Sequence, residues 1–559
     1  MAFCFPIALL PLCYPTPHVP EKGFQDLPAE IKLLIIEFLD RDTLTLSRLA
    51  ACNRELYDMA MPTLYANVSL GAPTHYRIWP GLAWPADRRS LERFLLTMLR
   101  KPHLAILVKS LDLTDLHDLC IAHRQLSASH PKRKQLTIEP LCPEDHQMIV
   151  DAATKIPLGK IMGESLGQAI EPNPPRSDAL VAVLLGYLPA LERLEMPMES
   201  DDPPRDPTTT AWSLTERVLV SMAGMRPGGT SVVAGAQTLM LSKLTHLKVE
   251  IDGTFPSADI DWLMVFLQIP TLTHVFGTKW TNLPLWVRPA YRDCQRLVHL
   301  ELRDCTFNGP NLRRLLKSAN KLETFIYERG WTNKKGWVLK SAELSHALQY
   351  TSQTLTCLEL SINRCARKVY EELYLQPLDL AGLRHLKKLR ISAGYLVQTE
   401  SKMEYFEGRF WRLYDQDGIL NSGRPLHELL PKSLEQLHIV QINDGLEFIL
   451  LCEKLSQSLY GRVVPILSEA HQFQHLKEII IEAPFEDHGE HLFETLSKAA
   501  NQAGVKLTTI DNSTDYVRSW ITGESRVSCP NKKIDWGFDG KIQWAHPFTR
   551  RGAMNHDLH

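Results

Sequence analysis

One short pattern, Leu-x-x-Leu-x-Leu or a close variant, occurs eleven times in this chain of 559 residues. Its copies begin at positions 108, 191, 244, 272, 297, 322, 355, 386, 434, 476 and 507. The copies that begin at Leu272, Leu297 and Leu322 follow one another at intervals of 25 residues. Such a period indicates a repeat architecture, because each unit can bury its apolar face only by stacking against its neighbours.

The alternation of side chains along a strand determines how each copy is expected to fold. Two leucines separated by one residue lie on the same face of a strand, so both point into the core. Each strand is expected to pair in parallel with the strand of the next repeat, and the rest of the repeat to return as a helix. The segments 311–319 (NLRRLLKSA) and 343–349 (ELSHALQ) have the pattern of such return helices.

In this pattern and in its shorter spacings the chain resembles leucine-rich-repeat proteins. Longer intervals, such as the 48 residues from Leu386 to Leu434, predict an irregular solenoid with insertions. The predicted fold class is α/β, a horseshoe with a parallel sheet on its concave face. We assign the solenoid to residues 91–512, with insertions at 120–178, 199–210 and 397–425, and residues 513–559 to a C-terminal tail or cap.

Residues 24–70 precede the repeats and form a separate apolar segment. Apolar residues from Ile31 to Leu39 recur at the spacing of one face of an α-helix, and a second Leu-rich stretch begins at Asp42. A helical cluster of this size is marginally stable alone. Its apolar surface exceeds what three short helices can bury among themselves, so a partner helix would be a natural cover.

This segment resembles an F-box. The resemblance rests on a Leu-Pro pair, a Glu-Ile pair, a first helix that ends in aliphatic residues, a Leu-rich second helix and a closing Pro-x-Leu-Tyr. The matching residues are Leu27, Pro28, Glu30, Ile31, Ile35, Leu39, Leu44, Leu49, Cys52, Leu56, Pro62, Leu64 and Tyr65. The chain lacks the Trp that often precedes the Arg-x-Leu of the family, which here begins at Arg54.

An F-box implies three helices that dock onto a Skp-type adaptor and, through it, onto the cullin and RING subunits of a ubiquitin ligase. The residues implied to bind the adaptor are Leu27, Pro28, Ile31, Ile35, Leu39, Leu44, Leu49, Leu64 and Tyr65. With its repeats, the chain resembles the F-box/leucine-rich-repeat proteins abundant in filamentous fungi. The alternative is a helical cap packed onto the downstream domain, in which Leu27, Pro28 and Ile31 would be buried.

Composition and motifs argue against several other classes of function. The 62 basic and 64 acidic residues give a net charge of −2, which favours no nucleic-acid partner. The 11 cysteines form no CxxC pair, which indicates reduced thiols in the cytoplasm or the nucleus. No apolar run is long enough to cross a membrane, and residues 1–23 lack the basic start of a signal peptide, so we predict an N-terminal tail. Hydrolase, metalloprotease and nucleotide-binding signatures are absent, so we predict a non-catalytic protein without a cofactor.

The solvent-facing positions of the repeats are the candidate substrate-binding surface. The residue between the paired leucines, and the one that follows the second leucine, are predicted to face the concave side. The candidate residues are Lys248, Glu301, Arg303, Glu359, Arg390 and His438, together with Phe410 and Trp411 of the third insertion. Their mixed charges suit a protein partner better than a polyanion.

Three histidines, His246, His274 and His299, occupy the same place in successive repeats. Equivalent residues of neighbouring strands lie about 4.8 Å apart, a distance at which imidazoles can approach a zinc ion. Side chains in such a column point the same way and do not converge, so we interpret it as a polar ladder and predict no metal site.

These patterns predict the substrate-recognition subunit of an SCF-type cullin–RING ubiquitin ligase in the cytoplasm or the nucleus, acting on an unknown protein. The alternative function is a leucine-rich-repeat interaction scaffold that is not linked to ubiquitination.

Overall fold

A computed structural model describes residues 24–40, 42–70, 85–114, 140–156, 160–199, 215, 219, 241–252, 258–259, 263–264, 266–267, 269–281, 294, 296–330, 339–362, 377–396, 403–404, 412–413, 424–440, 463, 466–467, 472–483 and 490–511. The α-helices of these residues are α1 (Ala29–Phe38), α2 (Thr43–Cys52), α3 (Arg54–Ala66), α4 (Pro85–Arg100), α5 (Pro102–Ala105), α6 (Pro143–Lys155), α7 (Lys160–Ile170), α8 (Ser177–Gly186), α9 (Gly309–Ser318), α10 (Ser341–Leu348), α11 (Leu426–Leu429) and α12 (Glu490–Ala503). The strands are β1 (Asn67–Ser69), β2 (Ser110–Asp112), β3 (Arg193–Glu199), β4 (His246–Asp252), β5 (Ala258–Asp259), β6 (His274–Thr278), β7 (Trp280–Thr281), β8 (His299–Cys305), β9 (Thr324–Arg329), β10 (Cys357–Ile362), β11 (Lys388–Ser392), β12 (Met403–Glu404), β13 (Arg412–Leu413), β14 (Gln436–Val440), β15 (Glu478–Ala483) and β16 (Lys506–Asp511).

Twelve of these strands form one open sheet, in the order β1-β2-β3-β4-β6-β8-β9-β10-β11-β14-β15-β16. Every neighbouring pair in this sheet is parallel. Each of the eleven copies of the leucine pattern overlaps one of its strands. Strands β5 and β7 form a small separate pair, as do β12 and β13. The predicted mixed α/β class with a parallel sheet is confirmed.

The register of the sheet stacks the equivalent positions of the repeats on one another. Leu300 of β8 lies between Val275 of β6 and Phe325 of β9, and all three side chains are buried. Leu302 is also buried, as the alternation predicts. The apolar rows of successive strands therefore join into one continuous core, to which α9 contributes Leu312 and Leu315 and α10 contributes Leu344.

The sheet begins earlier than the repeat pattern indicates. Helix α3 runs directly into β1, which pairs in parallel with β2. Helices α1–α3 also have a small core of their own, formed by Ile36, Leu46 and Ala60. Side chains cap the N-termini of α2 and α3. The Asp42 carboxylate accepts a hydrogen bond from the Thr45 amide at 3.0 Å, and the Asn53 side chain accepts one from the Leu56 amide at 2.8 Å.

Part of the predicted insertion 120–178 is helical. Helices α6 and α7 lie within it, and they bury Ile149 and Leu166 in the main core. The two predicted return helices are present as α9 and α10. Outside the described residues lie 1–23, 120–139, 200–210, most of 397–425 including Phe410 and Trp411, and the tail 513–559.

Candidate functional site

An apolar ridge lies on the outer side of the N-terminal helices. Five large apolar side chains of these helices are exposed: Ile31, Leu33, Leu34 and Phe38 of α1 and Leu44 of α2, with exposed fractions of 42, 43, 59, 88 and 59%. Three of them, Ile31, Leu34 and Phe38, are three and four residues apart and so share one face of α1, which forms the ridge. A cluster of large apolar side chains with this exposure is the usual mark of a surface that another protein covers.

The opposite side of α1 is held against the other helices. Ile36 is fully buried, and the Lys32 side chain is buried with its Nζ 2.8 Å from Oε1 of Glu55 on α3. This contact and the small core fix the rotation of α1 about its axis. The exposure of the apolar ridge is thus a consequence of how α1 packs.

The nine residues predicted to bind an adaptor fall into two groups in the structure. Pro28, Ile31 and Leu44 are exposed. The half-buried residues are Leu27, Ile35, Leu39, Leu49, Leu64 and Tyr65. The matched positions omit Leu33, Leu34 and Phe38, although Leu34 and Phe38 lie three and seven residues after Ile31 and helical periodicity places them on the same face.

The second candidate surface is the polar face of the sheet, where the predicted substrate-binding residues lie. The register places Lys248 of β4, Glu301 of β8, Glu359 of β10, Arg390 of β11 and His438 of β14 in one row across the strands. The row also contains Phe276 and Ile326, which are almost fully buried. This face is therefore a mixture of charged and apolar side chains.

Charged side chains of this face form one connected network. The Arg303 guanidinium donates to Glu301 at 2.8 Å and to Glu359 at 2.7 Å, and it lies 3.6 Å from Glu328. The Arg390 guanidinium donates to the same Glu359 oxygen at 2.8 Å. Four of the predicted residues, on three strands, are thereby joined through carboxylate–guanidinium contacts.

His438 completes this network. Its Nε2 lies 3.3 Å from the Glu482 carboxylate, to which Arg390 donates at 3.3 Å. His438 is fully buried and Glu359 is 8% exposed. The prediction that these two side chains are open to solvent is wrong, because they pack among their neighbours on the polar face.

This packing shifts the pKa of Glu359 and the pKa of His438. Burial raises the pKa of Glu359, but the two adjacent guanidinium groups of Arg303 and Arg390 outweigh it and bring the pKa down to about 2. Burial lowers the pKa of His438, and the Glu482 carboxylate opposes that effect. Glu359 is thus held as a carboxylate between two cations.

Glu301 differs from the sequence prediction, which placed it at a solvent-facing position. It is half-buried, and its carboxylate lies between Arg303 and His299, whose Nε2 is 3.7 Å away. Burial raises its pKa, but the Arg303 charge outweighs that effect and the pKa is lowered. Alternation along the strand correctly predicts the face on which Glu301 lies; it says nothing of the contacts with neighbouring strands.

Lys248 lies apart from this network. Its Nζ is 2.9 Å from Glu195 and 2.8 Å from Glu250, and it stands 5.6 Å from the centroid of the Phe276 ring. Burial lowers the pKa of Lys248, but the two carboxylates of Glu250 and Glu195 outweigh that effect and raise the pKa above its ordinary value. Of the eight predicted substrate-binding residues, five lie in one network, Lys248 forms a second cluster, and Phe410 and Trp411 are outside the described residues.

The histidine column is a stack of parallel rings. The rings of His246 and His274 are 4.3 Å apart at 11°, and those of His274 and His299 are 5.5 Å apart at 22°. Nδ1 of His246 lies 2.8 Å from the hydroxyl of Thr245. Among the described residues, no group of three or more histidine, cysteine or acidic side chains is arranged to hold a metal ion.

No helix within the described ranges is long and apolar enough to span a membrane. Neither a protein-family model nor a curated protein matches the chain.

Proposed function

We propose that this protein is the substrate-recruiting subunit of an SCF-type ubiquitin ligase. In this proposal α1–α3 form the F-box, and the large sheet with its helices is a leucine-rich-repeat solenoid. The chain performs no chemistry itself and acts in the cytoplasm or the nucleus. It brings a protein substrate to the cullin and RING subunits through a Skp-type adaptor.

The apolar ridge is the observation that carries this proposal. Leu34 and Phe38, with exposed fractions of 59 and 88%, are side chains that a monomeric protein would bury if its own fold allowed it. A ridge formed by positions three and four residues apart suits a groove or a helix of a partner protein. The resemblance of residues 24–70 to an F-box supports a Skp-type adaptor as that partner.

The connection between the two parts supports recruitment. Helix α3 runs directly into β1, and Met61 of α3 belongs to the main core. The apolar ridge is therefore held in a fixed position relative to the polar face. A rigid connection raises the effective concentration of a bound substrate near the transferring enzyme.

The same packing of α3 favours a second candidate function, an interaction scaffold whose helices cap the first strand of the sheet. Tyr57, Leu64 and Tyr65 pack against the main core, as a cap would. This account gives no role to the exposed apolar side chains of α1, and for that reason it is the second choice.

The test is co-purification of the full-length protein with a Skp-type adaptor. We expect the Leu34→Glu/Phe38→Glu variant to lose the adaptor, cullin and RING subunits together, because two charges would enter an apolar interface. Ile106→Glu is the matched control, since Ile106 is 60% exposed and lies just beyond α5. Undiminished recovery of the adaptor by the double variant would refute the proposal.

A further inference from the structure

Arg329 occupies a position that the repeat pattern reserves for apolar side chains. It is the last residue of β9 and follows Phe325 and Tyr327 on the core side of that strand, both of them fully buried. Arg329 itself is 3% exposed. Its neighbours in register are Cys305 and Ile362, which are buried too.

The charged group of Arg329 has unused hydrogen-bonding capacity. Within the described part of the chain, neither Nη1 nor Nη2 of this side chain has a hydrogen-bond partner. Arg303 and Arg390 of the same sheet each contact at least two carboxylates. Buried cations are almost always paired, because burying one without a partner is strongly unfavourable. The two terminal nitrogens of Arg329 thus form a buried donor fork for which the described residues supply no acceptor.

Tyr395 adds a second donor of the same kind. It is 2% exposed, and its hydroxyl has no hydrogen-bond partner among the described residues. The register brings Tyr395 to the same edge of the sheet as Arg329: Arg329 lies opposite Ile362 of β10, Leu360 of β10 lies opposite Ile391 of β11, and Tyr395 follows the end of β11 by three residues. Burial raises the pKa of Tyr395 to about 12, and the positive charge of Arg329 opposes that rise. At neutral pH the hydroxyl therefore keeps its proton and is able to donate it.

The hydroxyl of Tyr327, two residues before Arg329, differs from that of Tyr395 because it has hydrogen-bond partners. Its hydroxyl donates to the Cys305 carbonyl at 3.3 Å and accepts from the Phe307 amide at 3.4 Å. These bonds satisfy the hydroxyl within the protein. A β-bulge between Leu302 and Cys305 sets this arrangement, because it brings Cys305 rather than Asp304 opposite Arg329.

We propose that Arg329 and Tyr395 together bind a small oxoanion or the carboxylate of a small organic acid. The two terminal nitrogens of a guanidinium match two oxygens of one anionic group, and the Tyr395 hydroxyl supplies a further donor. The anion would neutralise the buried charge and accept the hydrogen bonds that the protein leaves unmade. This site is independent of the apolar ridge and of adaptor binding.

Thermal unfolding of the full-length protein tests this site. Melting is compared in sodium chloride, phosphate, sulfate and acetate at equal pH and ionic strength, so that general screening by salt is constant. We expect at least one oxoanion to raise the Tm of the wild-type protein by a few degrees, because a ligand that binds only the folded state stabilises it. Phosphate and sulfate also stabilise folded proteins by exclusion from their surface, so the site is assigned from the part of the rise that Arg329→Met loses: with phosphate or sulfate alone it indicates a tetrahedral anion, and with acetate a carboxylate.

Three variants make the test specific. Arg329→Met should lose the anion-dependent rise while melting in chloride near the wild-type temperature, because it removes an unpaired buried charge. Tyr395→Phe keeps the ring and should reduce the rise; it also carries the test if Arg329→Met fails to fold. Tyr327→Phe is the control and should keep the full rise. The proposal is overturned if no anion acts on the wild-type protein, or if Tyr395→Phe responds as the wild type does.

Discussion

Arg303 Nη1 lies 2.7 Å from Glu359 Oε1, although the two residues are 56 positions apart and strand β9 separates their strands in the sheet. Arg390 of the next strand donates to the same oxygen at 2.8 Å. One carboxylate thus links β8, β10 and β11 across the polar face. These side chains hold one another in place, so the polar face carries a fixed pattern of charges.

Replacement of the central carboxylate should destabilise the fold. We expect Glu359→Ala to lower the free energy of unfolding by about 3 kcal/mol, near the lower end of the range for breaking a buried ion pair. The loss is moderated because Arg303 keeps Glu301 as a partner. Urea-induced unfolding measures it, with Glu435→Ala, which removes the exposed pair with Lys477, as the control. Equal midpoints for the two variants would contradict the structural role of Glu359.

The histidine column should make stability depend on pH. Burial lowers the pKa of His246 to about 4 and that of His274 to about 3, and for His246 the Arg193 charge adds to the effect. Unfolded histidines take up protons below about pH 6.5, whereas these two resist protonation in the folded protein. The unfolded state therefore binds more protons between these values, and stability should fall as the pH decreases from about 6.5 toward 4 and 3.

The measurement is the free energy of unfolding as a function of pH for the wild-type protein and for His274→Gln. The variant removes one of the two groups, so its stability should decline less steeply on acidification. Parallel curves for the two proteins would show that the column does not govern the acid response.

Leu300 and Glu301 contribute to stability in different ways. Leu300 is fully buried, and Leu300→Ala should cost about 2–5 kcal/mol because it leaves a cavity. Glu301→Ala should cost roughly 1–3 kcal/mol, because it leaves Arg303 short of one charged partner. Unfolding of both variants in urea tests this, and a Glu301→Ala variant as stable as the wild type would contradict a stabilising contact between Glu301 and Arg303.

Two glycines should respond in opposite ways to alanine. A Cβ at Gly277 would overlap Nε1 of the buried Trp280 ring and lie 2.9 Å from its Cδ1, so Gly277→Ala should cost on the order of 1–3 kcal/mol. A Cβ at Gly167 of α7 meets no atom within 4 Å, so Gly167→Ala should stabilise the helix by about 0.5–1 kcal/mol. Thermal unfolding of the pair measures both, and a stabilised Gly277→Ala would contradict the observed packing.

The strands of the large sheet were predictable because each depends on a local pattern. Leu300 and Leu302 alternate with polar residues, and this period of two specifies both the strand and its buried face. Strand β1 was not predictable from the sequence, because only three residues, Asn67–Ser69, form it and they follow α3 without a break. Its pairing with β2 depends on tertiary contact and not on a pattern of its own.

The helices within the predicted insertion 120–178 were not predictable, because prolines interrupt that part of the sequence. Pro143, however, lies in the first turn of α6, where a missing backbone N–H costs nothing. The ion network was predictable only as a set of residues on one face. Which of them pair depends on strand order and side-chain reach, and Arg303 passes over β9 to contact Glu359.

The central claim is that the apolar ridge binds a Skp-type adaptor, and calorimetric titration of the purified full-length protein with a purified adaptor tests it most directly. We expect saturable binding by the wild-type protein and by Ile106→Glu. Phe38→Glu alone should weaken binding at least tenfold, because Phe38 is the most exposed residue of the ridge and a charge there would be buried in the interface. An absence of binding by the wild-type protein, or equal affinities for all three proteins, would contradict the account.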